Sequence, residues 1–163
     1  MTDAPLVSLA LDDQLCFKLY AASRAVTRAY KPMLDQLHLT YPQYVVMLVL
    51  WEWHAAAAPQ PTIKALGERL MLDSGTLTPL LKRLEQLALV QRQRSPRDER
   101  EVHLSLSEAG VGLRNQAYAL KTRLLCDSGV DLNQALALRD GLDQLLQQVT
   151  GLSPSAPKGP TAL

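Results

Sequence analysis

Histidine, cysteine and aromatic side chains are all scarce in this chain, and each scarcity closes off a class of function. The 163 residues hold three histidines and two cysteines. His38, His54 and His103 are scattered without metal-ligand spacing, and Cys16 and Cys126 lie far apart with no C-x-x-C. Neither a zinc site nor any other cofactor is therefore expected. No apolar run approaches the roughly 20 residues that a bilayer span requires. The N-terminus also lacks a basic start followed by an apolar stretch, so no signal peptide is expected. The compartment expected is the cytoplasm, where structural disulfides are rare. An excess of one charge is missing too: the formal net charge is +1, which says nothing about partners until its local distribution is read.

What is present is leucine and alanine. Apolar residues make up 47% of the chain, enough for a core, and Gly and Pro fall in clusters, so one largely helical domain is expected over 12–150. Residues 1–11 read as a flexible arm. Asp12 or Asp13 can cap a helix through Leu15, Leu19, Ala22, Val26 and Tyr30, an i, i+3/i+4 apolar stripe that Pro32 should kink or end. Thr40 to Gln43 has capping-box spacing with Pro42 in the first turn. The helix it opens is apolar on nearly all sides from Tyr44 to Trp53 and should be deeply buried. Ser107 caps a long helix reaching about Cys126. After a break at Asp127-Ser128-Gly129, Asp131 starts a last helix through Leu132, Leu136, Leu142, Leu145, Leu146 and Val149. Residues 151–163, rich in Pro, Ser and Gly, have the composition of a disordered tail.

The centre of the chain, about 62–106, has the outline of a winged helix-turn-helix. A short helix over 64–70 is followed by a turn through Leu72-Asp73-Ser74-Gly75 and a longer helix to about 88. Leu77, Leu80, Leu81, Leu84 and Leu87 form its apolar stripe, while Ser74, Thr76, Thr78, Lys82 and Arg83 are short polar or cationic groups suited to base edges and phosphates. Pro79 would also fit a later start with Thr78 as cap, but the turn chemistry favours Asp73 or Ser74. Strands are expected over 90–95 and 101–106, with Val102, Leu104 and Leu106 inward, His103 and Ser105 outward, and Pro96 in the turn between them. That hairpin carries Arg92, Arg94, Arg97 and Arg100 against Asp98 and Glu99. A local basic patch in a near-neutral protein fits phosphate contact. Arg94 and Arg97, nearest the tip, are expected to reach DNA, while Arg100 pairs with Asp98 to hold the wing.

The outer helices, about 12–37 and 107–149, are long and apolar on one face. The fold class expected is mainly α with a small β-hairpin: a winged helix-turn-helix flanked by N- and C-terminal dimerisation helices. A homodimer would present two recognition helices about one DNA turn apart to a pseudo-palindromic operator.

This layout resembles the MarR family of bacterial transcription regulators over roughly 12–148. The run Arg97-Asp98-Glu99-Arg100-Glu101-Val102-His103-Leu104-Ser105-Leu106-Ser107-Glu108-Ala109-Gly110 is similar to that family's D-x-R wing signature followed by L-[ST]-x-x-G. Gln14-Leu15-Cys16-Phe17, Tyr30, Leu39-Thr40-Tyr41-Pro42-Gln43-Tyr44 and Leu72-Asp73-Ser74-Gly75-Thr76-Leu77-Thr78-Pro79 resemble the organic hydroperoxide resistance regulators within it. The resemblance makes Pro79 a family feature. It implies that Cys16 is the peroxide-reactive thiol, that Tyr30 and Tyr41 of a partner subunit hydrogen-bond it, and that Cys126 matches the resolving cysteine of a two-cysteine subgroup.

Residue chemistry alone leaves the thiols open. Cys16, about one turn into its helix, lies where the macrodipole favours thiolate. Asp12 and Asp13 oppose that, and only Lys18 assists locally, so hydroxyl donors would carry much of the stabilisation. Both cysteines would serve equally well as small buried hydrophobes. Trp51 and Trp53 are read as core, and Tyr30 and Tyr41 as functional. The function expected is a repressor that leaves its operator when an organic hydroperoxide oxidises Cys16 and a disulfide forms with Cys126, whether between or within subunits. The alternative is a repressor released by a non-covalent aromatic or phenolic ligand, its cysteines inert. Without C-x-x-C or a cofactor motif, an enzyme is not expected.

Overall fold

The helix opened by Thr40 is the element around which the others pack. In the computed structural model, which describes residues 8–58, 61–96, 98 and 100–151, the chain runs α1 (Leu15–Ala29), α2 (Lys31–Leu37), α3 (Tyr41–Ala55), α4 (Ile63–Leu70), α5 (Ser74–Gln86), β1 (Val90–Arg94), β2 (Val102–Leu106), α6 (Glu108–Ser128) and α7 (Leu132–Thr150). Gln43 reaches back to accept the Thr40 N–H at 2.9 Å, closing the first turn of α3. The helix then buries Tyr44, Val46, Met47, Val49, Leu50 and Trp51. Around it pack Met33, Leu34 and Leu37 of α2, Leu66 of α4, Leu77, Leu81 and Leu84 of α5, Leu104 of β2 and Ala117 of α6. Pro32 ends the first stripe as expected: α1 stops at Ala29, and the proline sits in the first turn of α2, where its missing N–H costs nothing.

The start of α1 departs from the expectation. Leu11–Asp13 form a 3-10 turn, with Asp13 N–H on Ala10 O and Gln14 N–H on Leu11 O. Neither Asp12 nor Asp13 caps the helix, whose cap is Gln14 without a side-chain bond. The turn uses the local backbone donors, so α1 begins later and Cys16 becomes its second residue.

The centre folds as the outline demands. Thr62 Oγ1 accepts the Ala65 N–H at 3.1 Å to open α4, and Asp73 accepts both the Thr76 N–H at 2.8 Å and its hydroxyl at 3.1 Å to open α5. Gly67 allows the close turn between them, since a Cβ there would stand 2.8 Å from Leu72 O. Helix α5 passes straight through Pro79. The carbonyl that this proline leaves without an in-helix donor is that of Gly75, an exposed residue.

Strands β1 and β2 pair antiparallel, Val90 opposite Leu106 and Arg94 opposite Val102. Each is one residue shorter than expected at the tip. The other edge of β2 is paired as well: Leu104 N–H donates to Pro61 O at 2.8 Å, and His103 bridges Thr62. That pairing half-buries His103, which the alternation placed outward.

Ser107 joins the hairpin to α6 by accepting the Gly110 N–H at 3.0 Å and donating its own hydroxyl to Ala88 O at 2.6 Å. Helix α6 runs two residues past Cys126 and ends at Gly129, φ 64°. Asp131 then caps α7 through Asn133 and Gln134. Helices α1 and α7 bury no residue. Leu15, Tyr20, Val26, Leu132, Leu136, Leu138 and Val149 are exposed along them. Among the described residues no helix is long and apolar enough to cross a membrane. The expected tail, apart from Gly151, and residues 1–7 of the expected arm lie outside the described residues.

Candidate functional site

Two separate surfaces carry the candidate residues. The first is the exposed side of α5 with the wing beside it. Ser74, Thr76, Thr78, Lys82 and Arg83 are all exposed, as expected. Two hydroxyl protons on this face are already committed: Thr78 donates to Ser74 O at 2.7 Å, and Thr76 to Asp73. Both threonines therefore present lone pairs outward. Asp73 is held below the usual carboxylate range, first by the Thr76 N–H and then by its hydroxyl, so its charge stays at the positive end of α5. Arg83 contacts Gln86 at 3.3 Å.

The wing arginines divide differently from the sequence expectation. Arg92 folds back onto α5, its Nε 2.9 Å from Glu85 Oε2, and this bond holds the Glu85 carboxyl below its ordinary range. It braces β1 against α5 and is not a free cation. Arg94 is exposed near the tip, while Arg97 lies outside the described residues. Asp98 bonds to the backbone of the turn: its Oδ1 accepts the Arg100 N–H at 2.9 Å, and its carbonyl accepts the Glu101 N–H. The Arg100 guanidinium makes no ion pair with Asp98 and is exposed. Arg100 and Asp98 line a cleft shared with Ser74, Leu77 and Thr78 of α5, so Arg100 faces the same space as these α5 residues.

The second surface is the thiol end of α1. Cys16 and Cys126 are both free and exposed. As the second residue of α1, Cys16 stands in the turn where helix N–H groups lack partners and the dipole favours an anion. Lys18 pairs with Asp12 at 3.3 Å, so the local cation and one opposing carboxylate largely offset each other. Tyr30 and Tyr41 are brought together, their rings edge to face at 5.8 Å, with Tyr44 at 6.1 and 6.5 Å from them. Burial first, then Tyr41, pushes the Tyr30 phenol up, and burial pushes Tyr44 up to about 12. Both keep their protons near neutral pH and can act as donors. This trio is not beside Cys16. Tyr30 follows it by fourteen residues, which on a helix is roughly 21 Å.

Sequence reasoning missed two things here. Tyr44, expected only as the start of a deeply buried helix, completes the phenol cluster. Tyr20 lies one helical turn after Cys16 on the same face, with Arg24 stacked 5.4 Å over its ring and donating to its hydroxyl at 3.4 Å. The i, i+4 spacing from Cys16 was the available signal.

Comparison with known proteins gives a consistent picture. The family described as transcriptional regulator SarA/Rot matches residues 28–116. The organic hydroperoxide resistance transcriptional regulator of Bacillus subtilis (strain 168) is 48% identical over 142 residues, covering 85% of this chain and 91% of that one. Among solved structures, reduced AbfR bound to DNA, a Staphylococcus epidermidis protein, matches with TM-score 0.70 at 33% identity, covering 86% of this chain and 94% of that one. Disulfide-formed AbfR matches less well, with TM-score 0.62 at 33% identity over 86% of this chain and 92% of that one.

Proposed function

Because the chain belongs to the MarR family of transcription regulators, in its organic hydroperoxide resistance branch, we propose that it is a homodimeric repressor whose hold on DNA is set by the oxidation state of Cys16. The observation that carries the reading is the place of this thiol, exposed in the first turn of α1 in a chain so similar to a hydroperoxide resistance regulator. The separation of roughly 21 Å along α1 supports the homodimer. Tyr30 and Tyr41 reach Cys16 only if a second copy lays its own α1 antiparallel to the first. The unburied apolar faces of α1 and α7 provide the surface for that pairing.

In the reduced state, α5 enters the major groove. Thr76 and Thr78 offer acceptor lone pairs to base amino groups, Ser74 either donates or accepts, and Lys82 and Arg83 meet phosphate. Arg94, Arg97 and Arg100 serve the wing, and Arg92 keeps it aligned on α5. The closer likeness to DNA-bound AbfR, whether reduced or overoxidised, than to its disulfide form supports reading the described conformation as the binding-competent one.

An organic hydroperoxide ROOH is the inducer. The Cys16 thiolate attacks the peroxide O–O bond, taking OH as sulfenic acid and leaving alkoxide, which is protonated to ROH. The Cys126 thiol then attacks the sulfenic sulfur, forming a disulfide and releasing water. The bridge ties α1 to the end of α6 and moves the two recognition helices out of register. A gel-shift titration tests this, using a duplex selected from a random pool by the reduced protein and cumene hydroperoxide as oxidant. The wild-type protein is expected to release DNA, and Cys16→Ser to stay bound at the same dose. Release by Cys16→Ser would remove the sensing assignment.

A second reading, release by a non-covalent aromatic or phenolic ligand, is favoured by a groove between α3 and α6 lined by Leu48, Arg114, Tyr118 and Lys121. Phenolic acids raising the melting temperature and releasing DNA from Cys16→Ser would select it.

A further inference from the structure

One buried side chain touches both the tyrosine cluster and the start of α6. Trp51 is 4% exposed and lies in the second half of α3. Its ring meets Tyr44 edge-on with centroids 6.3 Å apart, and Tyr44 packs against Tyr30 and Tyr41. The other end of the indole leaves the aromatic cluster entirely: Nε1–H donates to Gly110 O at 2.7 Å in a buried hydrogen bond.

Gly110 is not a passive acceptor. It lies in the first turn of α6, pressed so closely on the exit of α5 that an added Cβ would stand 2.1 Å from Leu89 O. The same turn is fastened there by Ser107, whose N–H donates to Leu89 O at 3.0 Å and whose hydroxyl donates to Ala88 O. A displacement of Gly110 therefore cannot be absorbed locally. It would press on the Ala88-Leu89 segment, which joins α5 to β1, and so bear on the recognition helix and wing together. Close-packed interiors pass such shifts on because they have few voids to take them up.

We propose that Trp51 is the coupling residue of the switch: its indole hydrogen bond to Gly110 carries a change in the Tyr30–Tyr41–Tyr44 cluster to α5 and the wing. This rests on the thiol-sensing reading. When Cys16 is oxidised and no longer accepts from the tyrosines, the rings repack, Trp51 shifts against Tyr44, and the hydrogen bond draws the α6 turn with it. Reading and coupling are separate claims, because the first concerns whether Cys16 reacts and the second whether the reaction reaches α5.

Trp51→Phe separates them in the full-length protein, since it keeps a ring against Tyr44 and deletes only the indole donor and part of the volume. Three quantities are read: Cys16 oxidation by cumene hydroperoxide from intact mass, the Kd of the reduced protein for the selected duplex, and the Kd after oxidation. Cys16 is expected to oxidise as in wild type and the reduced Kd to stay close to wild type, while the weakening on oxidation shrinks by about tenfold. Wild-type weakening in oxidised Trp51→Phe would overturn the coupling role and leave the sensing role standing. Should the variant misfold, Trp53→Phe leaves Trp51 as the single fluorophore. Its emission is expected to shift on peroxide treatment and to stay fixed when Cys16→Ser is added. A Trp51 emission indifferent to oxidation in a protein that releases DNA would equally overturn the proposal.

Discussion

Tyr44 shows at the scale of one residue how burial sets chemistry. It is 2% exposed, and a phenolate would be stranded without water, so its ionisation is pushed up to about 12, with Tyr30 moved in the same direction. A tyrosine whose folded pKa lies above the unfolded value of about 10 stabilises fully below that value, and the contribution is lost as pH rises through the folded pKa. Unfolding free energy should therefore fall between about pH 10 and about 12, by roughly 2 kcal/mol from Tyr44 alone. Denaturant melts across that window should show the loss, and Tyr44→Phe should reduce it. An equal slope in the variant would mean that other groups control it. Single residues were legible in the sequence to unequal degrees. Cys16 could be placed near a helix start because helix onset follows local periodicity. Arg92 could not be separated from Arg94, because its partner Glu85 lies seven residues back across a chain reversal, a distance that periodicity does not report.

At the scale of elements, the boundaries that local chemistry controls agree with expectation. Thr40, Thr62, Asp73, Ser107 and Asp131 all stand at the helix starts where their side chains predict them. The exception is the start of α1, where two adjacent aspartates look like caps but the backbone closes a 3-10 turn first. Tertiary contact decided what pattern could not: His103 is half-buried because residues 61 and 62 pair with β2, and nothing in the alternation of 102–106 announces that third segment. The junction of α5, β1 and α6 is the tightest of these contacts. Gly110→Ala would drive a methyl into Leu89 O, and overpacking of this kind costs about 1–3 kcal/mol. A drop in melting temperature with weaker DNA binding in the reduced state is expected. An alanine variant as stable and as tightly bound as wild type would show that the junction yields.

At the scale of the whole molecule, the DNA-reading surface and the proposed sensing thiol lie apart. The reading surface is assembled within one chain from α5, β1 and the turn at Asp98, and its outline was visible in the order of caps, stripe and basic hairpin. The proposed sensing site was not visible as a single place, because Cys16 and the tyrosines stand far apart in one chain and would meet only if two chains pair. That makes the thiol both the least local and the most decisive part of the account. The most direct test is peptide mass mapping of protein separated into DNA-bound and DNA-released fractions after a sub-saturating dose of cumene hydroperoxide. The released fraction should carry Cys16 as sulfenic acid or in a disulfide with Cys126, and the bound fraction should retain Cys16 as a thiol. A released fraction whose Cys16 is still a free thiol would contradict the account.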